Sequence, residues 1–192
     1  MDTNQILNEM NFENGIKLDE MPELDLYMDQ VIQLFEGKLS TLKRNDDEKI
    51  LTKTMINNYA KGKLLLPIKN KKYSKEHLIL MAFIYNLKGA LSINDIKSSL
   101  SEIIESDESV DYPLRELYNC YLDESKDDVN RFKEDVSEKI NKIESTISNE
   151  DKLSIDYHNK FLLLCSMVNM SNMYRRMSEN IIDEFFTESE GK

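Results

Sequence analysis

Six apolar residues, Val129, Phe132, Val136, Ile140, Ile143 and Ile147, recur at steps of 3, 4, 4, 3 and 4. Only an α-helix gathers residues at such steps on one face, because about 3.6 residues complete its turn, whereas a strand needs strict alternation. A second set, Leu153, Tyr157, Phe161, Leu164 and Val168, keeps the same rhythm. The spacing predicts two helices, over about 113–147 and 150–186, each roughly 50 Å long at about 1.5 Å per residue. A helix of that length rarely packs within one small domain alone, so the pair is expected to fold back at Ser148-Asn149 as a hairpin that is also able to form a homodimer.

The rest of the chain reads as helical too. Five glycines and three prolines in 192 residues leave little material for the turns of an all-β fold. Leu24, Met28, Val31, Phe35, Leu39 and Leu42 trace one helical face after Pro22, which suits a helix start. A charged break, Lys43 to Lys49, precedes a short helix from near Thr52, with Met55, Ile56, Tyr59 and Ala60 on one side and Gly62 at its end. Pro67 and the lysines and asparagine that follow predict a loop or small two-stranded wing over 64–73. Ser74 caps the next helix, in which Leu78 to Leu87 is apolar almost all round and so expects burial on most sides. The quartet Ser92-Ile93-Asn94-Asp95 opens another helix to about Ile104. An all-α chain with a small β wing divides accordingly into a loose arm (1–20), a compact module (21–106) and a helical hairpin (107–192), with Asp107, Glu108 and Asp111 in the linker.

Several classes fall away. The longest apolar run, Leu78 to Tyr85, is far short of the roughly 20 residues that span a bilayer, so no membrane is expected as a partner. Residues 1–14 hold Asp2, Glu9 and Glu13 and no basic residue, unlike a signal peptide, and a cytoplasmic protein is expected. Cys120 and Cys165 stand singly among apolar neighbours and read as small buried thiols. His77 and His158 lack a second ligand at metal spacing, and no glycine-rich phosphate loop, GxSxG or HExxH is present. Neither a catalytic residue, a metal nor a cofactor is expected, and the chain does not read as an enzyme.

The net charge of −11 conceals an asymmetry. Eleven basic residues and three acids lie between Lys38 and Lys75, a local excess of +8, and the remainder of the chain carries −19. A basic module on an acidic chain suits a polyanion partner, although lysines also serve simply to keep a helix surface soluble.

Within that basic segment, Thr54-Met55-Ile56-Asn57-Asn58-Tyr59-Ala60-Lys61-Gly62-Lys63-Leu64 resembles the second helix and exit of winged helix-turn-helix domains of the MerR and excisionase kind. There a threonine opens the recognition helix, a glycine closes it eight residues later, and a basic wing follows. Pro67 to Tyr73 stands where that wing would be, with Lys69, Lys71, Lys72 and Tyr73 at its basic and aromatic places. Ser74 to Leu80 resembles the helix after the wing, and Leu87-Lys88-Gly89 through Ile96 to Leu100 the entry to the fourth helix, so the likeness covers about residues 50–105. The segments Asp25 to Val31 and Leu51 to Tyr59 are also similar to the YkrK-like domain of unknown function of low-GC Gram-positive bacteria.

What these likenesses imply is a MerR-like DNA-binding transcriptional regulator with double-stranded DNA as partner. Lys53, Asn57 and Lys61 share one helical stripe opposite Met55, Ile56 and Tyr59, placed to enter a major groove. Asn57 or Asn58 has the donor–acceptor pair that reads adenine. Thr54 and Lys63 flank that stripe, and Lys69, Lys71, Lys72 and Tyr73 would lie on backbone phosphates. For Tyr59 and Tyr73 a place in the core is the competing reading. Met167, Met170, Met173 and Met177 mark either plain core or an adaptable surface on the last helix. The alternative function is a non-enzymatic adaptor that binds another protein through its acidic C-terminal helices.

Overall fold

The computed structural model describes residues 7, 12, 15–105, 112–148 and 155–187. Along them run β1 (Leu26–Tyr27), α1 (Met28–Leu39), α2 (Lys53–Lys61), β2 (Lys72–Tyr73), α3 (Lys75–Leu87), α4 (Ile93–Glu105), α5 (Leu114–Ile147) and α6 (Ile155–Phe185), with 3-10 turns at Leu18–Glu20 and Ser40–Leu42. The fold is all-α with one small antiparallel sheet, as the sequence predicts.

The apolar run in α3 decides the centre. Leu78, Ile79, Leu80, Met81 and Ile84 are wholly buried, because no side of this helix offers water a polar face. Around it gather Val31, Phe35 and Leu39 of α1, Ile56 and Tyr59 of α2, Ile96, Leu100 and Ile103 of α4, and Leu114 and Tyr118 of α5. Phe83 meets the rings of Tyr118 and Tyr121 at 5.4 and 5.1 Å between centroids. The packing therefore crosses the 106–107 division read from the sequence: the first turns of α5 belong to the same core as α1–α4. The expected linker at Asp107–Asp111 lies outside the described residues.

Local chemistry sets the helix ends. The Thr52 hydroxyl accepts from the Met55 amide at 3.2 Å, and Ser92 and Asp95 cap each other at 3.2 and 3.0 Å. At the end of α2, Gly62 stays right-handed, with φ −73°, and Lys63 takes the left-handed place expected of a glycine, with φ 57°. The Leu64 amide then reaches back to the Tyr59 carbonyl at 2.9 Å, closing the helix. A Cβ at Gly62 would stand 3.1 Å from the Asn58 carbonyl oxygen, a tight fit.

Five sequence expectations are corrected. The first helix begins at Met28 rather than after Pro22, which leaves Leu24 80% exposed ahead of it. The arm is anchored where it is described. Ile16 and Met21 are buried in the core, and the Tyr118 hydroxyl donates to the Ile16 carbonyl at 2.7 Å. Leu7 packs on Val136 and Ile140, and Phe12 meets Phe132 edge-on. Cys120 and Cys165 are exposed, because both fall on outer faces of the long helices. The wing is not a self-contained pair of strands: a tight turn joins Lys69 to Lys72, and β2 then pairs with β1, Leu26 opposite Tyr73 and Tyr27 opposite Lys72.

The fifth concerns the hairpin. Of the predicted α5 stripe, Val129, Val136, Ile140 and Ile147 are buried, Ile143 is half-buried and Phe132 is 39% exposed; Val136 and Ile140 meet Leu163 and Met167 of α6. The α6 stripe Tyr157, Phe161, Leu164 and Val168 faces solvent instead. The reason is rotational: Leu163 and Met167 fall roughly 120° around the helix from that stripe at about 100° per residue. Asn149 and Leu153 lie outside the described residues.

Asn70 and Lys71 hold φ of 52° and 58° in the turn between Lys69 and Lys72, the signature of a type I′ hairpin turn. A lysine in this region costs about 1–2 kcal/mol through its Cβ, more than the roughly 0.5–1 kcal/mol that glycine loses in chain entropy. Lys71→Gly is expected to stabilise the chain by about 0.5 to 1 kcal/mol. Urea unfolding measures it, and a lower midpoint would contradict the turn geometry.

Candidate nucleic-acid interface

The amphipathic pattern of α2 fixes which residues it offers to a partner. Ile56 and Tyr59 point into the core, with Met55 and Ala60 half-buried, and this turns Lys53, Thr54, Asn57, Asn58 and Lys61 outward. All five are exposed. A stretch of 13 residues, 40–52, separates α1 from α2, longer than the three- or four-residue turn of a tight helix-turn-helix.

Two contacts hold the wing and α2 at the same corner. Lys53 Nζ lies 2.7 Å from an Asp29 carboxylate oxygen in the first turn of α1. Lys72 Nζ stands 5.3 Å from the centre of the Tyr27 ring, two residues earlier in the chain. One stretch, Tyr27 to Asp29, thus touches the start of α2 and the end of the wing turn. Lys63, Lys69 and Lys71 are exposed on the path between them. Tyr73 is not part of this surface. It is 3% exposed, its ring lies edge-on to His77 at 5.8 Å, and burial pushes its phenol above the usual range, so it is core rather than a phosphate contact. Tyr59 is likewise core.

Acids far away in the sequence temper the basic excess. Lys38 pairs with Glu20, Lys43 with Glu36, Lys53 with Asp29 and Lys75 with Glu23. Every one of these acids lies outside the 38–75 segment whose charge was counted. Lys61, Lys63, Lys69, Lys71 and Lys72 follow along the chain from the end of α2 to the wing.

Beneath the wing lies a set of contacts that spacing does not reveal. His77 is buried and bridges the two ends of the wing: its Nδ1 accepts from the Ser74 amide at 3.1 Å, so its Nε2 donates to the Leu66 carbonyl at 3.1 Å. Next to it the Lys75 ammonium, 7% exposed, sits 2.6 Å from Glu23. Arg115 of α5 joins Glu23 at 3.1 Å to Glu76 at 2.7 Å. The Lys75 hydrogen bond holds the Glu23 carboxyl below its ordinary value despite some desolvation, with Arg115 adding to it. For Glu76, burial pushes upward, but hydrogen bonds from Arg115 and the helix start prevail. These partners stand 52, 92 and 39 residues apart, so nothing local in the sequence marks them.

Burial depresses the His77 pKa more than its hydrogen bond to Leu66 and the nearby Glu76 and Asp25 raise it. The unfolded chain then binds a proton that the folded chain resists, so stability present above about pH 6.5 is lost as pH falls below that value. Between about pH 7 and 5 the contribution should change by at most about 1.4 kcal/mol per pH unit. His77→Gln is expected to remove that slope, as seen by chemical denaturation at a series of pH values; an unchanged slope would assign it elsewhere.

No group of three His, Cys, Asp or Glu side chains among the described residues is placed to hold a metal, and no described helix is long and apolar enough to cross a membrane. No curated protein and no solved structure matches the chain. A family known as a domain of unknown function, DUF1836, matches residues 16–121, more than half of the chain. The match begins at Ile16, the first buried residue of the main core, and ends at Tyr121, which meets Phe83. Residues 16–121, carrying both α2 and the wing, make this chain a member of the DUF1836 family.

Proposed function

We propose that this protein is a double-stranded DNA-binding transcriptional regulator built on a MerR-like, YkrK-like winged helix module. The observation that carries the reading is that burial of Ile56 and Tyr59 turns Asn57, Asn58 and Lys61 of α2 outward, just ahead of the wing lysines in the chain. In this reading α2 enters the major groove, where Asn57 and Asn58 meet base edges. Lys61, Lys63, Lys69, Lys71 and Lys72 contact phosphates and set the register without reading sequence. Lys53 would have to leave Asp29 to join them, a small step for an exposed ion pair worth at most about 1 kcal/mol. Acids over the rest of the chain keep its other faces off the polyanion.

Selection of bound duplexes by the purified chain, followed by titration of the best one against salt, tests this. Five phosphate contacts predict a slope of log affinity against log salt of about −4.5. Lys61→Glu with Lys71→Glu should weaken binding and flatten the slope by about 2. Asn57→Ala or Asn58→Ala should cost about 1–3 kcal/mol on the selected site while leaving the slope in place. Absence of any saturating duplex binding at low salt would overturn the reading in favour of an adaptor for another protein.

A further inference from the structure

The α6 helix leaves a row of large apolar side chains outside the hairpin. Leu163 and Met167 pack on α5, while Tyr157, Phe161, Leu164 and Val168 remain 63, 49, 59 and 51% exposed. Tyr157 already stacks on Phe161, with planes 9° apart, so this face is in part ordered before anything covers it. From Phe161 to Tyr174 the helix has fourteen consecutive residues without a charged side chain or a histidine, in a chain of net charge −11. Charges border the stretch on both sides, Asp156 and Lys160 before it and Arg175 and Glu179 after it, each pair joined along the helix.

The spacing of the exposed stripe, 4, 3 and 4, reads the same in both directions. We propose that this face of α6 binds the same face of a second copy of the chain, antiparallel about a two-fold axis between Leu162 and Leu163. That register sets Tyr157 against Val168 and Phe161 against Leu164 of the second copy, large against smaller at every step, and repeats each contact as an isologous interface must. Asp156 falls opposite Asn169 and Lys160 opposite Cys165, so no like charges meet. Two acidic chains approach at least electrostatic cost where neither carries charge. The four side chains expose several hundred Å² per copy, and pairing with their flanks removes roughly 1,000 Å² in total, the lower bound for a specific interface. A concentration-dependent, micromolar dimer follows.

Sedimentation equilibrium of the full chain over a wide concentration range should show monomer passing to dimer. Leu164→Glu and Phe161→Lys should each weaken the dimer by ten-fold or more with helix content by circular dichroism unchanged. Mixed together, the two variants should restore it, because the introduced carboxylate and ammonium face each other across the axis; a disturbed fold would not be rescued in this way. Met177→Glu, on the separate exposed stripe that also holds Tyr174 and Ile181, should leave the dimer intact. A chain that stays monomeric at every concentration overturns the proposal, as does a dimer broken by Met177→Glu but not by Leu164→Glu, or a mixture that fails to reassociate.

Discussion

Everything in the module depends on covering α3. Leu78 through Met81 and Ile84 point in nearly every direction around the helix axis, and each buried side chain of this kind is worth about 2 kcal/mol only if apolar neighbours replace water. One layer cannot do that. The chain brings α1, α2, α4, the segment from Ile16 to Met21 and the first turns of α5 around the same helix. Because α5 contributes Leu114 and Tyr118 to this core, the long hairpin grows out of the module rather than hanging from a linker. Arg115, between Glu23 and Glu76, adds a polar fastening at the same junction.

The surface follows from that arrangement. Once Ile56 and Tyr59 are committed to the core, with Met55 and Ala60 half-buried beside them, the polar residues of α2 are turned outward, and the wing lies where β1 and His77 fix it. Charge is less local than the chain order suggests. Four lysines that look like part of a basic run are matched by Glu20, Glu23, Asp29 and Glu36 from earlier in the chain. The candidate interface lies where α2 ends and the wing begins, along the lysines from Lys61 to Lys72.

Legibility differed by the range of the interaction. Most helix positions, the starts at Ser74 and Ser92, the buried run in α3 and most of the inward stripe of α5 were readable, because each rests on neighbours within a few residues. Tyr73 was assigned to the interface from its place in a motif and proved to be core, since one side of a two-residue strand faces in and the other out. The pairing of β2 with β1, the anchoring of Ile16 by Tyr118 and the fastening of Arg115 to Glu23 join residues about fifty to a hundred apart and left no periodic trace.

The sequence by itself determined that the chain is helical, where most helices begin and end, and which face of α2 stays polar, because backbone periodicity and capping are local and follow from side-chain type and spacing. Only the tertiary structure decided which of two competing apolar stripes on α6 faces α5, that the wing borrows its partner strand from before α1, and which lysines meet an acid from earlier in the chain. A helix can bury any face that finds a complementary neighbour, and an ion pair forms with whichever acid the packing brings near. Both outcomes depend on the distances between elements, which no local pattern in the chain encodes.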